Sequence, residues 1–354
     1  MSDANRRPSW GFPAVLVFGA CCFFPFARLE TRWPPPGDSS TSSTAAIPPE
    51  KSEYTLLFAG DVMLSRGVGA RMQSQHDWLL PFRPIADTLH NADLRFCNLE
   101  CPVSDRGHDR HHLYSFRADP RALAGLKEAG FEIVSQANNH AYDWGPEALV
   151  DTLARLRAEG IRPVGAGENA LVAHYPAIMK VGSLRVAFLA YVNIDPQQAT
   201  AQVDRPGVAW LDLPQVLADI RFARLLADLV IVSPHWGVEY AAKPARQQVE
   251  IAHQMIDAGA DLIVGTHPHV VQPLESYRDR WIAYSLGNFV FDQKGPVTHR
   301  GLILKVTVRA KRIVDVAPLP IEINSNFQPV LAARPQRPPK PVVTETHSAT
   351  AGTP

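Results

Sequence analysis

Short apolar runs, rich in β-branched and aromatic residues, recur along the middle of this chain, and most of them stop at a polar residue able to hold a cation. The runs are residues 54–59, 94–98, 133–135, 185–191, 229–233, 262–264 and 281–285. Their length and composition predict buried strands. Helical spacing fills several of the gaps. Leu123 and Leu126 mark residues 120–129, and Leu149, Val150, Leu153 and Leu156 mark residues 146–159. Residues 214–226 and 244–258 follow the same rule. Pro146 suits a helix's first turn, where its missing N–H costs nothing. Strand and helix alternating in this way predict an α/β fold with a largely parallel sheet and more than one layer. Residues 302–309 and 312–319 predict a late hairpin.

The residues just beyond each strand narrow the function. Residues 54–59 run into Gly60-Asp61, and 94–97 into Asn98-Leu99-Glu100. Residues 133–135 lead to Asn138-Asn139-His140, and 229–233 to Pro234-His235. Residues 262–264 lead to Gly265-Thr266-His267-Pro268-His269, and 281–285 to Gly287-Asn288. Open α/β sheets bind ligands beyond the carboxyl ends of their strands. Carboxylate, amide oxygen and imidazole at one edge suit Zn, Mn or Fe. A single such residue is ordinarily a cap or loop anchor; so many in succession point to a site. His267-Pro268-His269 is the sharpest motif. If that stretch is extended, residues two apart point to one side and both rings reach adjacent metals.

The ends of the chain differ from its middle. Arg6 and Arg7 precede an apolar run over residues 10–27, which reads as an export segment. Three fates are open for residues 1–28: a cleaved signal, an uncleaved anchor, or a lipoprotein signal ending at Cys21. All three carry the domain across the cytoplasmic membrane, to its extracytoplasmic face. Residues 29–52 are a Pro/Ser/Thr-rich linker that cannot bury enough apolar surface to order itself. The domain is expected over residues 53–326, and a disordered tail over 327–354. Lys plus Arg equals Asp plus Glu at 35 each, so the basic excess of a nucleic-acid binder is missing. Cys97 and Cys101 read as buried or half-buried thiols.

In order and spacing, these motifs resemble one family. They are residues 60–67 with Asp61 and Arg66, Asn98-Leu99-Glu100, Ala137 to Gly145 with His140 and Asp143, His235 to Tyr240 with Glu239, His267-Pro268-His269, and Tyr284 to Gln293. The family is CapA, bacterial proteins of capsule and poly-γ-glutamate synthesis, similar in turn to calcineurin-like metallophosphatases. The resemblance covers about residues 54–320. It implies a four-layer α/β/β/α sandwich and one or two divalent ions (Mn, Zn or Fe). It implies Asp61, Glu100, Asn139, His235, His267 and His269 as ligands, and His140 as general acid. Arg66 would clamp an anionic group, and Glu239 or Asp143 would orient the acid. For Arg66 and Glu239 the alternative is a structural ion pair. Met63 stands where the superfamily has a ligand histidine, and a thioether cannot replace imidazole at such a metal. The implied activity is a metal-dependent hydrolase acting on an anionic ester or γ-glutamyl polymer. The alternative is a polymer-binding or export component of a membrane assembly, with membrane proteins of capsule synthesis as partners.

Overall fold

The computed structural model describes residues 51–194, 197–333 and 342–343. Its first sheet begins with β1 (Glu53–Val62), β2 (Leu94–Leu99), β3 (Ile133–Ser135) and β4 (Arg162–Val164), all parallel. After β5 (Ala166–Gly167) the chain enters a second sheet with β6 (Ala177–Val181) and β7 (Leu184–Val192). β8 (Gly207–Val208) pairs with β5. The second sheet continues with β9 (Leu229–His235), β10 (Leu262–Val264), β11 (Leu274–Tyr277) and β12 (Arg280–Ala283). The chain then returns to the first sheet with β13 (Asn288–Val290), β14 (Arg300–Arg309), β15 (Arg312–Ile323) and β16 (Pro329–Leu331); β17 (Val342–Val343) lies beside β11. The strand orders are β16-β15-β14-β1-β2-β3-β4, with β13 also on β1, and β17-β11-β12-β10-β9-β7-β6.

The first sheet is parallel from β1 to β4 and antiparallel from β1 through β14 and β15 to β16; the second is parallel from β12 through β10 and β9 to β7, with β11–β12 and β6–β7 antiparallel. Sequence-adjacent strands pair antiparallel where the loop between them is too short for a crossover, while β1 and β14 pair antiparallel from opposite ends of the domain. Ala310 and Lys311 alone join β14 to β15, and Arg278 and Asp279 alone join β11 to β12. All four have positive φ, as a two-residue type I′ turn requires. The late hairpin expected from the sequence is present, with β15 running on to Ile323.

Helices α1 (Arg66–Ser74), α2 (Ala86–His90), α3 (Leu123–Glu128), α4 (Gly145–Ala158), α5 (Ala170–His174), α6 (Leu213–Leu226) and α7 (Arg246–Asp257) complete the fold. The period of two along β1 sets the layers. Leu56 and Phe58 face the second sheet, meeting Phe96, Phe188 and Ile231. Leu57 and Ala59 face outward onto Leu89 of α2 and Leu126 of α3. On the second sheet Leu189, Val230 and Ile263 face outward onto Ile220 of α6 and Met255 of α7. The result is the four-layer α/β/β/α sandwich. Phe58, Phe96 and Phe188 join the sheets, with centroids 5.9, 6.3 and 5.7 Å apart. Burying each such ring stabilises by about 2–3 kcal/mol.

Two expectations change. β1 continues past Ala59 to Val62, because Asp61 and Val62 find ladder partners in β2 and β13. The domain also runs past the boundary expected at Asn326. Phe327 packs on the outer apolar layer, buried Gln328 donates to Leu80 O at 2.8 Å, and β16 pairs antiparallel with β15. Proline-rich composition suggested a tail, yet Pro329 opens an edge strand, a position proline tolerates. The expected export segment, nearly all of the linker and most of the tail lie outside the described residues. Cys97 and Cys101 are free and buried.

Candidate metal centre

Asp61 sits beside Asn98 of β2 on one flank and Asn288 of β13 on the other. This close packing depends on Gly60, where an added Cβ would lie 1.8 Å from Gly287 O. Asn98 and Glu100, two apart on an extended stretch, turn to one side. Asn98 Nδ2 donates to Asp61 Oδ1 at 2.8 Å and to Glu100 Oε2 at 3.2 Å. Asn138 Nδ2 donates to Asn98 Oδ1 at 3.0 Å, and its own Oδ1 accepts from His140 N, shaping the turn that presents Asn139 and His140. From the second sheet, His235 ends β9 with Nε2 2.8 Å from Asn139 Oδ1 and Nδ1 3.0 Å from Thr266 Oγ1. The His235 and His267 rings are 4.8 Å apart, and those of His267 and His269 5.9 Å. All six expected ligand residues therefore converge.

The route by which the last two arrive is not the one expected. The His267-Pro268-His269 stretch is not extended: His267 has φ +95° and His269 φ +58°. Side chains rarely adopt that region, at a cost of about 1–3 kcal/mol each. Both rings turn inward because the backbone is left-handed, not because a strand alternates. His267 N reaches Asp61 Oδ2 at 3.3 Å, and Pro268 O accepts from Tyr240 N at 2.8 Å, holding the strained turn.

The hydrogen bonds orient the His269 ring. Asn288 Nδ2 donates to Gln293 Oε1 and Thr298 O, so its Oδ1 is the atom facing His269 Nδ1 at 2.9 Å. Nδ1 is therefore a donor to that oxygen. Nε2 faces Glu100 Oε1 3.6 Å away, too far for a hydrogen bond. Glu100 Oε1 and His267 Nδ1 are buried without a hydrogen-bond partner. Burial, with Asp61 close by, pushes the Glu100 carboxyl well above its usual range. Burial and the neighbouring imidazoles push His235 well down and His267 down to about 3. Both rings are thus neutral, the form that ligates a metal. Ligand atoms of Asp61, Glu100 and His269 lie within 4.8 Å of one another, as do those of Glu239, His267 and His269.

A cavity of about 450 Å³ opens beside this cluster, lined in part by Arg66, His140, Glu239 and His269. His140 Nδ1 is 2.8 Å from Asp143 Oδ2, and its ring stacks on Phe116 at 3.9 Å. The same Asp143 oxygen accepts from Phe116 N at 2.7 Å. Arg66 pairs with Asp292 at 2.6 Å and lies over Phe116. Its ion pair is thus with Asp292. Glu239 has a carboxylate oxygen within 4.8 Å of ring nitrogens of His267 and His269. Met63 is fully buried in the outer apolar layer, where its Sδ accepts from Ser65 N and Oγ at 3.2 and 3.1 Å. It supplies nothing to the cluster.

Sequence reasoning missed three of these groups in their roles. Asn98 and Asn288 orient the ligands, and both stand at strand ends where the pattern of polar residues is visible. Phe116 gives no signal, because it sits in a loop without periodicity.

The pattern of the family described as "Bacterial capsule synthesis protein PGA_cap" matches residues 55–293. The chain is 34% identical over 307 residues to the capsule biosynthesis protein CapA of Bacillus anthracis, covering 82% of this chain and 74% of that one. It is 32% identical over 273 residues to the PGA biosynthesis protein CapA of Bacillus subtilis (strain 168), covering 75% and 71%. Among solved structures it is similar to the calcineurin-like phosphoesterase YfkN from Bacillus subtilis, with 13% identity and a TM-score of 0.45 over 80% of this chain and 93% of that one. On the motif match and the curated relatives, the chain belongs to the PGA_cap family of bacterial capsule synthesis proteins.

Proposed function

We propose that this domain is a metal-dependent hydrolase of capsule synthesis, acting on a γ-glutamyl polymer or an anionic ester outside the cytoplasmic membrane. One observation carries the reading. Buried His269 and the buried carboxyl groups of Asp61 and Glu100 have ligand atoms within 4.8 Å of one another, and Glu100 Oε1 has no hydrogen-bond partner, an arrangement that a cation would complete. Asp61, Glu100, Asn139, His235, His267 and His269 would hold one or two ions, with Glu239 in reach. A divalent ion in such a site supplies Lewis-acid polarisation of an ester or amide oxygen and a lowered pKa for water.

The chain's own groups do the rest. Asp143 fixes the His140 ring through Nδ1. Nε2 is left as the nitrogen that carries a proton to the leaving group from the cavity wall. Arg66, steadied by Asp292 and Phe116, offers its outer face to an anionic group. The polymer substrate is supported by the CapA relatives, whose names state capsule and PGA biosynthesis. The extracytoplasmic location is supported by Arg6, Arg7 and the apolar run after them; among the described residues no helix is long and apolar enough to cross a membrane.

Metal analysis of the full chain, with turnover assays on a chromogenic phosphodiester and on γ-linked polyglutamate in Mn or Zn, tests the proposal. Bound metal with turnover of either substrate supports it; neither metal nor turnover refutes it. A second reading, a polymer-binding component with little turnover, is favoured by Met63, whose burial in the apolar layer leaves the first metal position short of an imidazole. It predicts bound polymer and metal without products.

A further inference from the structure

Tyr240 stands between two cavities. On one side is the polar cavity with His140 and Glu239; on the other is a groove of about 400 Å³. Val271, Val297, Ile321 and Ala332 give that groove an apolar wall, and Arg300 is the charged residue in its lining. The Arg300 side chain has no ion pair or hydrogen bond among the described residues. Among the described residues most arginines are ion-paired, as Arg66 is with Asp292 and Arg95 with Glu132.

The groove is held in register with the metal cluster. His269 continues directly through Val270 into Val271 of the groove. Leu302 N donates to Leu286 O at 2.9 Å, and Gly287 bridges to Gly301. Gly287 O in turn accepts from Asp61 N at 3.0 Å. A chain lying in the groove would keep a fixed distance from the reacting centre. An apolar wall with one unpaired guanidinium suits a flexible backbone rich in methylene groups that bears spaced carboxylates. A small ester filling the polar cavity would leave it unused.

We propose that the groove beyond Tyr240 is a subsite for repeats of the γ-glutamyl polymer remote from the reacting bond, with a carboxylate on Arg300. This rests on the polymer reading above. The test is calorimetric binding of a γ-linked glutamate dimer and hexamer to the full chain, to Arg300→Ala and to Val297→Glu. Both positions are exposed, so the substitutions leave the core intact. The wild type should bind the hexamer at least about tenfold more tightly than the dimer, which is ~1.4 kcal/mol. Both variants should bring the hexamer down to the dimer's affinity and leave the dimer unchanged. Equal binding of the two lengths by the wild type, or variants that weaken both alike, overturns the subsite alone. Binding of neither length overturns the polymer reading and the subsite with it.

Discussion

Glu100→Gln should make the metal-free protein more stable and the metal-bound protein weaker, two effects of opposite sign from one atom. Glu100 and Asp61 are fully buried, with ligand oxygens within 4.8 Å. At that separation and an effective dielectric of 20, like unit charges repel by about 3.5 kcal/mol. Protonating Glu100 instead is no easier. From its ordinary 4.5, forcing the proton on at pH 7 costs about 3.4 kcal/mol. Glutamine removes the charge and fits the hydrogen bonds. Its oxygen can accept from Asn98 Nδ2, and its amide can approach His269 Nε2. Stripped of metal at pH 7, the variant should gain about 3 kcal/mol, or roughly 6 °C in melting temperature for a domain this large. With Mn or Zn its affinity should fall by about a hundredfold, since a charged ligand is lost. Differential scanning fluorimetry with and without EDTA reads both. The pH dependence gives a second check. A raised carboxyl binds extra protons in the folded state, so Glu100 makes the metal-free protein less stable as pH rises above 4.5. The lowered histidines act the other way: the unfolded state takes protons first, and stability falls as pH drops below 6.5, for His267 down to about 3. In the wild type the two oppose each other between pH 4.5 and 6.5. In Glu100→Gln only the histidine slope remains, so its melting temperature should fall more steeply on acidification. If the metal-free variant melts lower than wild type at pH 7, the buried charge is balanced by something other than a cation and the reasoning fails.

Three other outcomes are expected from the same geometry. His140→Ala should lower kcat on an ester with a poor leaving group by about 10²–10⁴, and Asp143→Asn by about tenfold, with metal content unchanged in both; unchanged kcat in His140→Ala removes the acid assignment. Gly60→Ala should cost about 3 kcal/mol in thermal denaturation, because its Cβ meets Gly287 O at 1.8 Å and must push β13 aside. Native Cys97 and Cys101 should not react with a thiol reagent, since burial raises both and pushes Cys101 up to about 12; rapid labelling of the folded protein would contradict their placement.

How much of this was legible in the sequence depended on whether the signal was local. Ile133–Ser135 and Leu262–Val264 are bounded by the polar residues that end them, and both strands fall where expected. The convergence of Asp61, Glu100, Asn139, His235, His267 and His269 was legible because a parallel sheet gathers its strand ends. The conformation of the His267-Pro268-His269 turn was not, because positive φ at histidine runs against local preference and is held by distant contacts to Asp61 and Tyr240. The partner of Arg66 was hidden for the same reason: Asp292 lies more than two hundred residues away. Met63 illustrates a third case. Its departure from the superfamily pattern was plain, but only its burial shows that the side chain left the site for the apolar layer. Pro329 misled outright, since one proline reads alike in a linker and at the start of an edge strand.

The central claim is that the cluster around His269 and Glu100 holds a cation. Titrating the metal-stripped full chain with Mn or Zn, and counting bound ions by elemental analysis after gel filtration, tests it most directly. At least one ion per chain should be retained, and none in the Glu100→Gln, His269→Ala double variant. A wild-type chain that elutes free of metal, or a double variant that keeps as much as the wild type, would contradict the claim.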